Sequence, residues 1–267
     1  MATKKSSSTE MVPWDAELAA EAQENAATEA SATGGGQFIS VRGGQLSIAG
    51  QSQPGNKMAA VVLDSIMVNA YYPDAFDADN PTPPSCYAFG RKEDEMGPHD
   101  KALDKQAAQC RGCPNNEYGS AVKFNSKGQK VEARGKACKN GRRLAVIAAG
   151  TINGQGAFEA FSKPADFGGE VLFLNVPPTS LRCWGGFVSK LASTVARPPW
   201  AVYTEIAVVP DAKSQFKITF NPLQKVPDSL LPVLRERHKE AMGLIEFPFP
   251  DKIEAPAPAK KGKSGKF

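Results

Sequence analysis

The chain predicts a mainly β core of the α+β class, with a cysteine-rich lobe inserted in it and two tails unable to build a core. Three observations carry this. Apolar runs are of strand length and separated by Gly- and Pro-rich breaks. Only two later stretches space their apolar residues as a helix does. Four of the five cysteines fall within residues 85–143. At 267 residues, with 41% hydrophobic and 22% charged side chains, one or two soluble domains are expected. The longest apolar runs, such as Leu144–Ala149, are too short to span a membrane. The opening MATKKSSSTEM leads into an acidic, Ala-rich stretch without an apolar signal core, so a cytoplasmic address is expected.

Residues 1–36 set Lys4 and Lys5 against Glu10, Asp15, Glu17, Glu21, Glu24 and Glu29, with Val12 and Trp14 nearly the only large apolar residues. That is too little burial to offset ordering, and a disordered acidic arm is expected, with room for a short helix over 15–25. The core is expected to span 37–250. Residues 37–50 alternate around Gly43-Gly44, which is hairpin grammar. Met58–Tyr72 is β-branched and nearly continuous in apolar residues, hence a buried strand. The prolines and aspartates of 73–84 make an irregular connection, and within 85–143 only DKALDKQAAQ could be helical. Four further strands follow: RRLAVIAAG, GEVLFLNV, WAVYTEIAVV and SQFKITFNP.

A helix capped by Ser180 or Thr179 carries Leu181, Trp184, Phe187, Val188 and Leu191 at helical spacing. A last helix, from Asp228 to Met242, places Leu230, Leu231, Leu234 and Met242 on one side and tolerates Pro232 in its first turn. Residues 251–267 form a Lys/Ala/Pro/Gly tail with no core-forming content.

Five cysteines, an odd count in a chain without an export signal, argue against a disulfide framework. Cys110-Arg-Gly-Cys113-Pro can turn two thiolates around one metal ion. Cys86, 24 residues before the pair, and Cys138, 25 residues after it, supply two more soft ligands for a tetrahedral Zn2+ site. Four protein ligands leave no place for water, so such a zinc would be structural. A redox CxxC pair and four simply buried cysteines are the duller readings, and His99 is a possible substitute ligand. Cys183, beside Trp184, reads as a core residue.

The lobe is also basic. Residues 111–143 hold Arg111, Lys123, Lys127, Lys130, Arg134, Lys136, Lys139, Arg142 and Arg143 against Glu117 and Glu132, with Tyr87, Phe89, Tyr118 and Phe124 interleaved. Cations neutralise phosphates and exposed rings stack on bases, although a charge run is as often only a solvated face. Enzyme signatures are missing: no P-loop, no dinucleotide fingerprint, no nucleophile elbow. The acidic DADN and KEDE clusters lack calcium-loop spacing. His99 and His238 are scant acid–base material, and His238 reads as a solvated helix residue.

Three blocks taken together, Cys110–Ser120, Gly135–Leu144 and Val176–Val188, resemble a group of bacteriophage proteins of similar size. These carry a CxxCP-x-N-x-x-GS and a GKxC-x-x-x-R-x-L motif, and the likeness spans roughly residues 60–225. More loosely, strands around one helix with charged tails resemble phage single-stranded-DNA-binding proteins built on OB-type barrels. That resemblance implies an OB-like β-barrel with residues 85–143 as the inserted zinc lobe. It also implies a non-enzymatic single-stranded-DNA-binding role in phage replication or recombination, with replication proteins as partners through the tails. The acidic segment here is N-terminal, whereas such proteins commonly end in an acidic tail. The expected phosphate contacts are Arg134, Lys136, Lys139, Arg142 and Arg143, and the expected stacking residues Tyr87, Tyr118 and Phe124. A protein-interaction or virion-associated adaptor with a zinc-stapled fold is the alternative, and the oligomeric state stays open.

Overall fold

A computed structural model of the chain describes residues 38–74, 82–125, 127, 129–153 and 155–249, together with Leu18 and Glu21. Those two are helical and fall within the 15–25 stretch that leaves room for a short helix; the rest of that arm and residues 251–267 lie outside the described residues. Strands dominate. They are β1 (Phe38–Arg42), β2 (Gln45–Ile48), β3 (Gln51–Ser52), β4 (Lys57–Tyr71), β5 (Cys86–Gly90), β6 (Val122–Phe124), β7 (Lys130–Glu132), β8 (Lys139–Ile152), β9 (Phe158–Ala160), β10 (Leu172–Val176), β11 (Val202–Asp211) and β12 (Gln215–Lys225). Two helices join them, α1 (Leu181–Lys190) and α2 (Leu231–Leu244).

Ten strands make one mixed sheet in the order β12-β11-β4-β8-β10-β1-β2-β3, with β5 added to β4 and β9 to β8. The β1–β10 pair is parallel, the others antiparallel. β1 and β2 pair around the Gly43-Gly44 turn as expected, Arg42 opposite Gln45. No pairing joins β12 to β3 among the described residues, so the sheet is open and the expected barrel closure is corrected. What resembles a barrel is the burial. Leu46 of β2 and Ile218 and Phe220 of β12 share one core with Trp184 and Phe187 of α1. The open sheet is thus roofed by a helix.

Alternation along the strands sorts the core into two. Met58, Ala60 and Val62 of β4, with Leu144 and Val146 of β8, face α1. Val61 and Leu63, with Ala145, Ile147 and Ala149, face α2 through Leu234 and Ala241, and Ile245 just past the helix joins them. A register shift between Val62 and Asp64 lets Ile66 and Val68 stay on the α2 side although their parity has changed. Ser180 does not cap α1; its hydroxyl accepts from the Ile218 N–H at 2.9 Å and ties the helix start to β12. Met242 is exposed, and Leu234 and Ala241 take the buried places on α2, with Ile245 buried just past its end. The segment DKALDKQAAQ is not helical, because its backbone bonds outward: Asp104 N–H reaches the Ser85 carbonyl at 2.8 Å.

Candidate metal centre and basic lobe

The lobe between β5 and β8 has little core of its own. Its buried apolar cluster is Ala88, Met96 and Cys110, with Met67 of β4 packed against it. Polar bonds and turns do the rest. The Cys110–Cys113 segment turns tightly, Cys113 N–H to the Cys110 carbonyl at 3.4 Å, with Gly112 at a φ of +75° that favours glycine. Cys138 N–H donates to the Asn115 carbonyl at 2.7 Å, which fastens the start of β8 to the loop after the pair. The Ser120 hydroxyl donates to the Asn115 carbonyl and accepts from Ala137 N–H, closing the same two segments.

These contacts bring four cysteines from distant positions around one small cavity of 20 Å3, lined by Cys86, Cys110, Cys113 and Cys138. All four are buried and free. Burial pushes the thiols of Cys86 and Cys110 up, and that of Cys138 up to about 12, where the neighbouring cysteines' charges add to desolvation. Two sulfurs also accept hydrogen bonds, Cys86 from the Gln106 backbone and Cys110 from the Asn69 side chain. Among the described residues no group of three or more His, Cys, Asp or Glu side chains is gathered closely enough to hold a metal ion. The thiols are therefore neighbours around a cavity, not a formed ligand set. The donor chemistry nevertheless fits a soft cation: four sulfurs line one cavity, with hydrogen-bond donors behind two of them.

No protein-family model, curated protein or solved structure matches the chain.

An asparagine network backs the cavity. The Asn140 amide donates to Asn69 Oδ1 at 2.6 Å and to Asn116 Oδ1 at 2.9 Å, while the Asn116 amide donates to the Cys110 carbonyl at 2.9 Å. Sequence reasoning missed Asn69 and Asn140. Asn116 had a signal, since it is the asparagine of the CxxCP-x-N block. His99 does not line the cavity; it stacks on Tyr87 at 5.0 Å and accepts at Nδ1 from Lys101 N–H. Cys183 packs against the α1 core as expected.

The basic residues divide. Arg111, Lys123, Lys127, Arg134 and Lys139 are exposed, and among the described residues none of them forms an ion pair. Lys136 is half-buried, its Nζ donating to Asn116 Oδ1 at 3.3 Å. Arg142 is half-buried, and burial pulls its pKa below the ordinary value. Arg143 is a correction. It is 0% exposed, and Nη1 donates to the carbonyls of Ile245 at 3.0 Å and Phe247 at 2.7 Å. The guanidinium lies 3.9 Å from the Phe247 ring centroid and 4.5 Å from that of Phe89, leaving no surface for a phosphate.

The aromatics divide likewise. Tyr118 is 75% exposed, but Tyr87 is 3% exposed, packed between His99 and Phe249, and is corrected as a stacking platform. The side chains of Phe124 and Lys130 lie outside those described. His238 is also corrected: it is half-buried, with Nδ1 2.7 Å from the Leu63 carbonyl and its ring stacked on Trp200.

Proposed function

We propose that the chain is a non-enzymatic single-stranded-DNA-binding protein whose basic lobe is held by a structural zinc ion on Cys86, Cys110, Cys113 and Cys138. The observation that carries the reading is the meeting of four separated cysteines around one cavity in a lobe whose buried apolar cluster is very small. A lobe with so little core needs a staple. Zinc would supply one by binding the thiolates, and with four protein ligands it would leave no open position for catalysis. Binding releases the protons that burial now holds on the thiols, so holding the metal and folding the lobe are one equilibrium.

The lobe's surface supports the second half of the reading. Arg111, Lys123, Lys127, Arg134 and Lys139 offer charge unopposed by acidic partners, and Tyr118 offers an exposed ring. Phosphate neutralisation with ring stacking is sequence-tolerant, as single-strand binding requires. A place in phage replication or recombination rests on the resemblance of the two cysteine blocks. A second reading, a protein-interaction adaptor, is favoured by Leu103, Tyr118, Val122 and Val131, apolar or aromatic side chains left exposed on the lobe. Elemental analysis combined with oligonucleotide binding tests both halves. One zinc per chain and affinity that falls steeply with salt support the proposal. Metal-free protein with a native lobe, or affinity indifferent to salt, would overturn the corresponding half.

A further inference from the structure

β4 has two lateral edges. β8 pairs along one of them from Ala59 to Ala70. β11, opposite Lys57 to Val61, and β5, opposite Met67 to Tyr71, must therefore share the other. Between them residues 62–66 have no strand partner on that edge among the described residues. The sheet has a window there, at the Val62–Asp64 bulge. Backbone groups cut off from a ladder need partners. Among the described residues His238 serves one such group, its Nδ1 lying 2.7 Å from the Leu63 carbonyl. A carbonyl only accepts, so Nδ1 is the donor in this contact.

A cavity of 230 Å3 opens at this window. Trp184 of α1 lines it, as do Trp200 and His238, whose rings stack 5.8 Å apart at 14°. Ser65 also lines it, and its hydroxyl has no hydrogen-bond partner among the described residues. At the rim both Asp64 carboxylate oxygens are held by Arg91, at 2.9 and 2.7 Å. The window thus combines aromatic walls with a strand edge and a hydroxyl group.

We propose that this window receives one unstacked nucleobase of the bound single strand, which rests on the DNA-binding reading above and adds a site to it. A base is planar, stacks on aromatic rings, and carries donors and acceptors along one edge that can meet an unpaired strand edge. An extended peptide fits less well. It would have to run along 62–66 and continue past both ends, where Gly90-Arg91 and the 3-10 turn Pro199–Ala201 already stand. A base on a flexible backbone enters edge-on and needs no continuation.

The test uses the full chain at low salt with two fluorescent strands of equal length, one oligo-dT and one fully abasic. The intact strand should bind at least about fivefold more tightly. Trp200→Leu and Ser65→Leu should each collapse that ratio towards one and leave abasic binding unchanged. Trp200 packs beneath α2, so Ser65→Leu at the cavity wall keeps the test valid if the tryptophan variant fails to fold. An undiminished ratio in folded Ser65→Leu overturns the window proposal. Equal binding of both strands by the wild type also overturns it but leaves DNA binding standing. Binding of neither strand removes both readings. Tryptophan quenching by a blocked Val-Thr-Val-Thr-Val peptide and not by the oligonucleotide would make strand addition the correct occupancy and the base proposal wrong.

Discussion

Replacing Arg143 by Met tests whether this buried cation is a fastener of the C-terminal segment or a ligand for phosphate. Two carbonyl acceptors, at 3.0 and 2.7 Å, engage the guanidinium, and charged hydrogen bonds contribute about 1.5–3 kcal/mol each. The Phe247 and Phe89 rings add about 2 kcal/mol for a desolvated cation. Against these stands desolvation, which pulls the pKa from 12.5 to about 10 and corresponds to about 3 kcal/mol. The balance is about 3 kcal/mol in favour of the native arrangement. For a domain of this size, each kcal/mol moves Tm by about 2–4 °C, so Arg143→Met should melt about 6–12 °C lower. Residues 245–249 should also become the first site of proteolysis, because their carbonyls lose their partner. The variant's DNA affinity should keep the wild-type salt slope. An unchanged Tm together with a shallower salt slope would show that Arg143 contacts phosphate and does not fasten the C-terminal segment.

Other expected outcomes concern the staple, the sheet and one hairpin. Cys138→Ser should lower zinc content well below one per chain by elemental analysis, whereas Cys183→Ser should leave it unchanged. Gly150→Ala should destabilise by at least about 2 kcal/mol in urea melts, because Gly150 has a φ of +146° and a Cβ there would overlap the Glu159 carbonyl of β9. Asp211, at the β11–β12 turn, has its pKa drawn from 3.8 to about 2 by the Ser214 hydroxyl and N–H, with Lys217 helping. A depressed carboxyl stabilises fully above the unfolded value and loses that contribution as pH falls through the folded one. The Tm gap between wild type and Asp211→Asn should therefore be constant above about pH 4 and close between pH 4 and 2.

Much of the architecture was legible because it depends on local pattern. The β1–β2 hairpin, the long buried β4 and both helices follow from alternation, turn glycines and helical spacing. β5 was not legible: Cys86–Gly90 is short, follows a proline run, and pairs with β4 through long-range contacts. Arg143 was misread because charge was weighed without parity. It shares the odd register of Ala145, Ile147 and Ala149 along β8, and that register faces α2. The same oversight affected His238, which the Leu63 bulge recruits from a helix that otherwise reads as solvated. Barrel closure depends on whether distant strand ends pair, and no residue pattern in β3 or β12 encodes that. The four cysteines were legible from spacing, but the asparagines behind them come together only through β4–β8 register, with Asn69 opposite Asn140.

Exposed cations on the cysteine-held lobe are proposed to neutralise the phosphates of a single strand, and one comparison decides this. The salt dependence of oligo-dT affinity is measured for the wild type and for the Arg134→Ala/Lys139→Ala double variant. Both residues are exposed and free of ion pairs among the described residues, so the variant should fold normally. Single strands contribute a slope of about −0.7 per neutralised phosphate, so the log–log plot should become shallower by about 1.4. A folded double variant with the wild-type slope would contradict the claim.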